Sequence, residues 1–323
     1  MSTRDFIPAL VALVILAALP FAGLSGSLMN LLIFTLIVTM TAQGWNILGG
    51  FGGQTSFGHA AFFGTGAYTT AILQITFGIN AWAGLVAGIA AGALVGAFIG
   101  AVSFRSGLRG SYFALVTLAF AEVLRICANS ASFTGGAAGL LVPIDYGAWN
   151  LQFEDRRIFA LILVAFVGVV LLITRWLERS RFGAHLVAVR ENEEAAQALG
   201  VDVFRVKLGG ITLSAAVTAA AGCLYTQNYL FIDANVAYGT WISIEALFAA
   251  IVGGLGTMLG PLLGAVVLHG LSEITKTFSG NIPGLDLAVF GVILVLTVAF
   301  APTGITGLAS RLFGRRRTRT EDA

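Results

Sequence analysis

The sequence predicts an all-α protein built as a polytopic membrane helix bundle, and three observations lead to that fold class. Hydrophobic residues make up 57% of the 323 residues and charged residues only 11%, whereas soluble domains carry roughly 25% charged residues. Apolar runs long enough to cross a bilayer recur along the whole chain. Glycine, with 41 residues, is the third observation, because small residues let helices pack closely in lipid.

About ten segments have the roughly 20 apolar residues that a membrane-spanning helix needs. The eighth is short and interrupted by glycine, so its boundary is the weakest. The sequence contains no soluble domain of any size, and residues 1–323 are predicted to form a single transmembrane domain. The predicted spans are 6–24, 28–48, 56–78, 80–103, 111–130, 158–177, 208–230, 242–257, 259–276 and 285–302.

Basic residues set the predicted orientation, because cytoplasmic loops of membrane proteins are enriched in Lys and Arg. With both termini in the cytoplasm, the inside loops hold fourteen Lys and Arg residues. The outside loops hold three, Arg156, Arg157 and Lys276, and Arg125 lies within a span. An even number of spans agrees with this orientation, which places the segment between the sixth and seventh spans in the cytoplasm.

The most polar stretch is residues 178–207, termed here the polar segment, which reads ERSRFGAHLVAVRENEEAAQALGVDVFRVK. It carries five of the sixteen acidic residues and five of the eighteen Lys and Arg. Residues 184–199 lack Pro and are rich in Ala, Glu and Gln, and Gly200 follows as a C-cap, so a short helix is predicted. Such a helix with an apolar side is suited to dock in a groove of a soluble partner. A solvated connecting loop is the alternative.

Glycine also forms a stripe in the fourth predicted span, where it recurs every four residues. This spacing puts the glycines along one helix face, so another helix can approach to backbone contact there. The stripe predicts tight packing and does not indicate a function. It consists of Gly84, Gly88, Gly92, Gly96 and Gly100.

Two other glycine clusters interrupt apolar runs at predicted cytoplasmic boundaries. They read GGFGGQTSFGH (49–59) and GGLGTMLGP (253–261). Broken spans in corresponding halves are typical of transporters, and irregular backbone at membrane depth persists only inside protein or beside water. Ordinary tight turns are the alternative. The predicted helix breaks are Gly52, Gly53, Gly253, Gly254 and Gly256.

Ionisable residues inside spans are costly and are therefore candidates for a transport route. Glu122 and Arg125 lie three residues apart on one face of the fifth span, where they can pair. Glu245, in the eighth span, is an alternative partner for Arg125. A mutually satisfied pair that locks helices together is the alternative to a route. Gln54 and His59 are further candidates, although hydrogen-bonded packing is the simpler interpretation of a lone His.

The sequence contains no constellation that points to catalysis. It has no Ser-His-Asp set, no metal-ligand spacing and no Walker-type GxxxxGK[ST] loop. The chain is therefore not expected to be an enzyme or to bind ATP or a metal by itself.

Four stretches resemble the permeases of branched-chain amino-acid ABC importers, and together they run through most of the chain in family order. The pattern is similar to that of the LivM-like subunit, the second of the two paired permeases of such a system. The stretches are GWNILGGFGGQTSFGHAAFFGTGAY (44–68), LRGSYFALVTLAFAEVLRI (108–126) with FTGGAAGL (133–140), FGAHLVAVRENEEAAQALGVDVFRVKLGGITLSAA (182–216) and IVGGLGTMLGPLLGAV (251–266).

The resemblance implies partners, a location in the bacterial inner membrane and a mechanism of alternating access. Such permeases work with a second homologous permease, two ABC ATPase subunits that bind ATP and Mg, and an extracytoplasmic solute-binding protein, surrounded by lipid and without nucleic acid. A cytoplasmic coupling helix docks on the ATPase, flanked here by Asp202, Arg205 and Lys207. The implied coupling residues are Arg190, Glu191, Asn192, Glu193, Glu194, Ala195, Ala196, Ala198, Leu199 and Gly200.

Three other functions stay open at this point. Importers of urea or short-chain amides use permeases of very similar pattern. A self-sufficient secondary transporter or channel would need intramembrane acids for ion coupling and no docking helix. A non-transporting membrane anchor would not need the broken spans or the charges within spans.

Overall fold

The structure is a computed structural model that describes residues 7–279, 285, 288–289, 291–292, 295 and 304–313. Most of these residues are helical, so the predicted all-α class is confirmed. The helices described here are α1 (Ile7–Ala18), α2 (Gly26–Trp45), α3 (His59–Phe77), α4 (Ala81–Arg105), α5 (Gly110–Ser130), α6 (Arg156–Arg179), α7 (Arg181–Glu191), α8 (Glu193–Ala198), α9 (Val203–Tyr229), α10 (Ala234–Ala237), α11 (Thr240–Gly253), α12 (Gly260–Ser279) and α13 (Gly304–Phe313).

Short elements complete the description. A π-helical turn, Asn46–Phe51, extends α2. Strands β1 (Leu140–Leu141) and β2 (Phe231–Ile232) pair antiparallel, with Leu140 opposite Ile232. Single 3₁₀ turns are formed by Leu19–Phe21, Ser132–Thr134, Gly136–Ala138 and Ala148–Asn150.

Six helices in the described part of the chain are long and apolar enough to cross a membrane. Helix α1 is apolar but shorter, α3 and α12 are not among the six, and the predicted span 285–302 lies mostly outside the described residues. A polytopic membrane bundle is therefore established, while the number of ten spans stays a prediction. The six are Gly26–Phe51, Ala81–Arg105, Gly110–Ser130, Arg156–Arg179, Val203–Tyr229 and Ala234–Gly253.

Several helices begin where a polar side chain caps the free backbone amides of the first turn. Asn80 Oδ1 accepts a hydrogen bond from the Ala83 amide at 2.8 Å at the start of α4. Asp202 does the same for the Arg205 amide at 3.0 Å at the start of α9. Because such residues interrupt long apolar runs, they fix where each helix enters the bundle.

The glycine stripe of α4 packs against α9, as predicted. A Cβ at Gly88 would lie 2.5 Å from Cys223 Sγ, and one at Gly100 would lie 2.5 Å from Ile211 Cγ2. Between them, Gly92 and Gly96 face the Cβ atoms of Ala219 and Ala215 without room for a side chain. Helix α9 also packs on α2 and α3, so it is the central helix of the core that supports the site described next.

Candidate functional site

The polar segment (178–207) folds as two helices, which corrects the prediction of one helix over 184–199. Helix α7 ends at Glu191 and α8 begins at Glu193, because Asn192 has an extended backbone. Asn192 Oδ1 accepts a hydrogen bond from the Ala195 amide at 2.9 Å. An Asn followed by acidic residues is a typical helix start, a signal that the composition of this stretch obscured. The predicted stop is present, since Gly200 follows α8 with a φ of +86°.

Helix α8 turns one side into the protein and leaves a small apolar surface outside. Ala196 is buried. Ala195 and Ala198 are exposed, and Leu199, directly after the helix, is 87% exposed. Of the apolar side predicted for this segment, Ala195, Ala198 and Leu199 are thus exposed, whereas Leu186 and Val189 are buried inside the protein.

Ion pairs hold α8 in place. Lys207 Nζ, on the first turns of α9, lies 2.7 Å from Glu193 Oε2, and Lys207 is only 3% exposed. Arg109, in the turn before α5, approaches the same carboxylate at 3.4 Å and Glu194 at 4.0 Å. A buried cation needs a charged or hydrogen-bonding partner, so Glu193 fixes α8 to two neighbouring elements.

The two glycine clusters are about 200 residues apart in sequence and meet in the structure. Asn46 donates from Nδ2 to the Thr257 carbonyl oxygen at 3.1 Å, and its Oδ1 accepts from the Gly256 amide at 2.7 Å. A Cβ at Gly50 would come within 2.6 Å of the Gly256 nitrogen, so only glycine fits there. These four residues are termed the glycine junction.

The predicted helix breaks differ in their backbone conformation. Gly53, Gly254 and Gly256 have positive φ angles of +65°, +124° and +69°, a region that favours glycine. Gly52 keeps a right-handed backbone, and Gly253 is the last residue of α11. The chain therefore leaves helical geometry after α2 and after α11 by different turns.

Arg190, at the end of α7, connects the polar segment to the glycine junction. Its Nη1 donates to the Gly50 carbonyl oxygen at 2.7 Å and lies 3.4 Å from the position of a Cβ at Gly256. Its aliphatic stem covers Gly53, and its Nη2 pairs with Glu191 at 2.6 Å. Arg190 thus contacts the turn after α2 and lies beside the turn after α11.

Glu122 and Arg125 form the predicted local pair. Arg125 Nε donates to Glu122 Oε2 at 2.9 Å and Nη2 to Oε1 at 2.5 Å. Arg125 Nη1 also donates to Asn235 Oδ1 on α10 at 2.6 Å. The pair does not lie between packed helices of this chain, because the Glu122 side chain is 46% exposed and that of Arg125 is 28% exposed.

Glu245 is not the partner of Arg125, so that alternative was wrong. Glu245 Oε1 lies 2.9 Å from His269 Nε2 on α12. The other ring nitrogen of His269 is 2.9 Å from Thr35 Oγ1 on α2. Both side chains of the pair are largely buried, and this network joins three helices.

The remaining candidates for a route lie elsewhere. His59 is buried, with Nε2 2.9 Å from Ser214 Oγ on α9, an arrangement of the hydrogen-bonded packing type. Gln54 donates to the Gly52 carbonyl oxygen at 3.1 Å in the loop that follows the π-helical turn. The structure thus does not bring the five candidates together in one cluster.

Sequence reasoning missed the polar residues of α2 that support the glycine junction. Gln43 Nε2 donates to the Met258 carbonyl oxygen at 2.6 Å, and Thr174 Oγ1 donates to Gln43 Oε1 at 3.2 Å. Glu178 Oε1 accepts from the Met258 amide at 3.1 Å. The usable signal was the presence of Gln43 and Asn46, uncharged amides inside an otherwise apolar span.

A polytopic bundle with broken helices and a short solvent-exposed helix connected to them defines a membrane transport subunit. The chain belongs to the family described as the permease component of branched-chain amino acid transport systems, whose model matches residues 27–298.

Curated relatives agree with this membership. The chain is 32% identical, over 92% of its length and 74% of the relative, to the high-affinity branched-chain amino acid transport system permease protein LivM of Escherichia coli K12. It is 26% identical, over 83% of its length and 90% of the relative, to the permease protein LivH of the same system and organism. A probable LivM permease of Methanocaldococcus jannaschii is 29% identical over 61% of this chain and 60% of its own length. No solved structure matches the chain.

The resemblance to LivM-like permeases is thereby confirmed. The relatives are permease proteins, so the expectation of a transport subunit rather than an enzyme is confirmed as well. Family membership and the apolar helices together make the chain an integral membrane protein. The similarity to both LivM and LivH fits a system with a pair of related permeases.

Proposed function

We propose that this chain is one of two permease subunits of an ATP-driven importer for branched-chain or other hydrophobic amino acids, coupled to separate ATPase subunits through α8. The observation that carries the coupling proposal is the connection from α8 through Arg190 to the glycine junction. Arg190 Nη1 contacts the Gly50 carbonyl oxygen at 2.7 Å, while Ala195, Ala198 and Leu199 stay exposed on the other side.

In this mechanism, ATP bound by the partner ATPases draws them together, and α8 follows the groove in which it docks. Glu193 and Lys207 keep α8 rigidly attached to α9, so the movement reaches the bundle rather than deforming the loop. Arg190 passes the displacement to the ends of α2 and α11, where glycines allow the backbone to rearrange. Alternating access then follows from a change in the angle between these helices.

The proposed assembly comprises this chain, a homologous permease, two ABC ATPases and an extracytoplasmic solute-binding protein in the bacterial inner membrane. ATP and Mg are bound by the ATPases and not by this chain. Both termini and the polar segment (178–207) lie in the cytoplasm. The contact of Arg109 with Glu193 and Glu194 requires the turn before α5 and α8 to share one side of the membrane, which agrees with the two ends placed together by this orientation.

Reconstitution of the complete complex in proteoliposomes tests the function. Uptake of radiolabelled leucine should require ATP on the ATPase side and the solute-binding protein on the other side, with no response to an ion gradient. Uptake driven by a proton or sodium gradient without ATP would instead establish a secondary transporter. Transport of urea or acetamide in place of leucine would retain the importer and replace its substrate class.

A further inference from the structure

The Glu122–Arg125 pair lies deep in a membrane span and is nevertheless exposed. Helix α5 rises about 1.5 Å per residue, which puts Glu122 about 18 Å from Gly110 and about 12 Å from Ser130 along the axis. The Glu122 side chain is 46% exposed and that of Arg125 is 28% exposed. Of the six spans, α5 is the least buried within this chain.

Lipid is an unfavourable neighbour for this pair, because ionisable groups in spans face a bundle interior or a water-filled cavity. The rest of the exposed surface of α5 is apolar and suits lipid or another helix, with Leu115, Val123 and Ile126 all more than half exposed. Glu122, Arg125 and Asn129 form a polar edge beside that surface, at helical spacings of three and four residues. Asn129 Oδ1 is buried and has no hydrogen-bond partner among the described residues.

We infer that this polar edge faces the substrate route between the two permease subunits, and that Glu122 and Arg125 bind the charged groups of a zwitterionic α-amino acid. The inference rests on the proposed function and adds to it the recognition of the substrate's head group. Glu122 binds the ammonium group, and the guanidinium of Arg125 binds the carboxylate in its preferred bidentate geometry.

The empty pair is suited to this role because its two charges neutralise each other through two hydrogen bonds. A zwitterion between the two side chains replaces each partner with a group of the same charge, so no charge is left unpaired. Asn235 Oδ1 keeps hold of Arg125 Nη1 during this exchange and orients the guanidinium. Urea and acetamide carry no formal charge, so neither can replace the ion-pair partner of Glu122 or of Arg125. The pair therefore favours amino acids over amides.

Water access and substrate protection test the inference in the complete complex, in liposomes of phosphatidylethanolamine and phosphatidylglycerol. The probe is Leu118→Cys, one turn before Glu122 on the same side of α5, in a Cys127→Ser background that removes the exposed native thiol. Leu94→Cys, on an exposed apolar surface of α4, is the matched control. A charged methanethiosulfonate should label position 118 and not position 94, and leucine should slow the labelling while urea should not.

Charge variants separate recognition from packing. Glu122→Gln and Arg125→Gln should each lower leucine uptake by at least about tenfold, while ATPase co-purification is retained. The double variant with Glu122→Arg and Arg125→Glu keeps an ion pair but exchanges the positions of its two charges. A zwitterion whose orientation is fixed by its side chain then meets a like charge at each end, so uptake should stay low. Restored uptake in this variant would show a structural pair and overturn the inference.

The labelling result can also overturn the inference. If position 118 stays unlabelled, or is labelled equally with and without leucine, in a complex that transports leucine, the polar edge is covered by the neighbouring subunit and not by substrate. If the wild-type complex takes up no leucine at all, the proposed function itself fails.

Discussion

Single residues at the junction between the polar segment (178–207) and the bundle carry most of the proposed coupling. The guanidinium of Arg190 has two partners, the Glu191 carboxylate and the Gly50 carbonyl oxygen. Glu193 is shared by Lys207 and Arg109. These charges have structural partners within the chain, so they act by positioning α7 and α8 rather than by binding substrate.

Replacement of Arg190 should uncouple ATP hydrolysis by the partner subunits from leucine uptake through the bundle. Arg190→Ala removes a charge-assisted hydrogen bond to Gly50, typically worth about 1.5–3 kcal/mol, and leaves the exposed face of α8 unchanged. ATPase co-purification should stay near wild type, while leucine uptake per ATP hydrolysed falls several-fold. Arg205→Ala, which removes an exposed charge paired with Asp202, is the matched control and should have little effect. Equal uptake by the two variants would remove Arg190 from the mechanism.

Loss of the Glu193 charge should destabilise α8. Glu193→Gln leaves the buried Lys207 without its anion, and breaking a buried pair costs about 3–5 kcal/mol. The melting temperature of the purified protein in detergent should fall, and ATPase co-purification should fall with it. Glu194→Gln changes a neighbouring carboxylate that is largely exposed and should leave the melting temperature unchanged. If the two variants melt alike, Glu193 does not fix α8.

At the scale of helices and strands, the sequence predicted the features that depend on residues close together in the chain. Residue spacing within a helix predicted the glycine stripe of α4 and the Glu122–Arg125 pair of α5. Residue type predicted the end of α8 at Gly200. The division of the polar segment (178–207) at Asn192 was missed because Ala-rich and Glu-rich composition favours one continuous helix. The capping bond from the Ala195 amide favours the break instead.

Contacts between distant parts of the chain could not be predicted in the same way. Nothing in the local pattern brings Asn46 to Gly256 or Glu245 to His269, because these contacts depend on how α2, α11 and α12 pack together. Exposure is equally non-local. The charges of Glu122 and Arg125 suggested either a buried pair or a route, and their exposure depends on the packing of α5 at the edge of the bundle.

The packing of α4 on α9 gives a prediction for the stripe. Gly96→Leu introduces a side chain where the Ala215 Cβ already fills the space, and overpacking of this kind costs typically about 1–3 kcal/mol. Thermal stability in detergent and yield should both decrease. Ala90→Leu, at an exposed position of the same helix, is the control and should be tolerated. A Gly96→Leu variant as stable as the control would mean that α4 and α9 can separate without cost.

At the scale of the whole molecule, the bundle places its charged end and its glycine junction together. The polar segment (178–207), Arg109 and both broken helices are linked by hydrogen bonds or ion pairs. The β-ribbon belongs to connections that the predicted orientation puts outside. This end of the bundle is the one that we propose meets the ATPase subunits.

Reporter fusions test this orientation. A reporter that is active only outside the cytoplasm should be silent when fused after Ala323 or inserted within 184–200, and active within 136–155. The physical reason is the excess of fourteen over three Lys and Arg in the loops predicted to be inside. A second reporter that is active only in the cytoplasm should give the opposite pattern. Activity of the first reporter at Ala323 would reverse the orientation and place α8 on the wrong side for an ATPase.

The central claim is that the exposed face of α8 docks on an ATPase that drives transport, and one substitution tests it most directly. Ala195→Arg puts a bulky charge on that face, where close approach needs small residues. Burying an unpaired charge at an interface costs several kcal/mol, about 3–5 when one partner is missing. Membrane insertion and yield should stay near wild type, because position 195 is exposed in the chain itself.

The measurement is leucine uptake together with ATPase co-purification, compared between Ala195→Arg and Gln197→Ala, an exposed neighbour on the same helix. The account predicts that both quantities collapse in Ala195→Arg and stay near wild type in Gln197→Ala. Normal uptake with normal ATPase co-purification in the Ala195→Arg variant would contradict it, and the polar segment (178–207) would then be an ordinary loop between two spans.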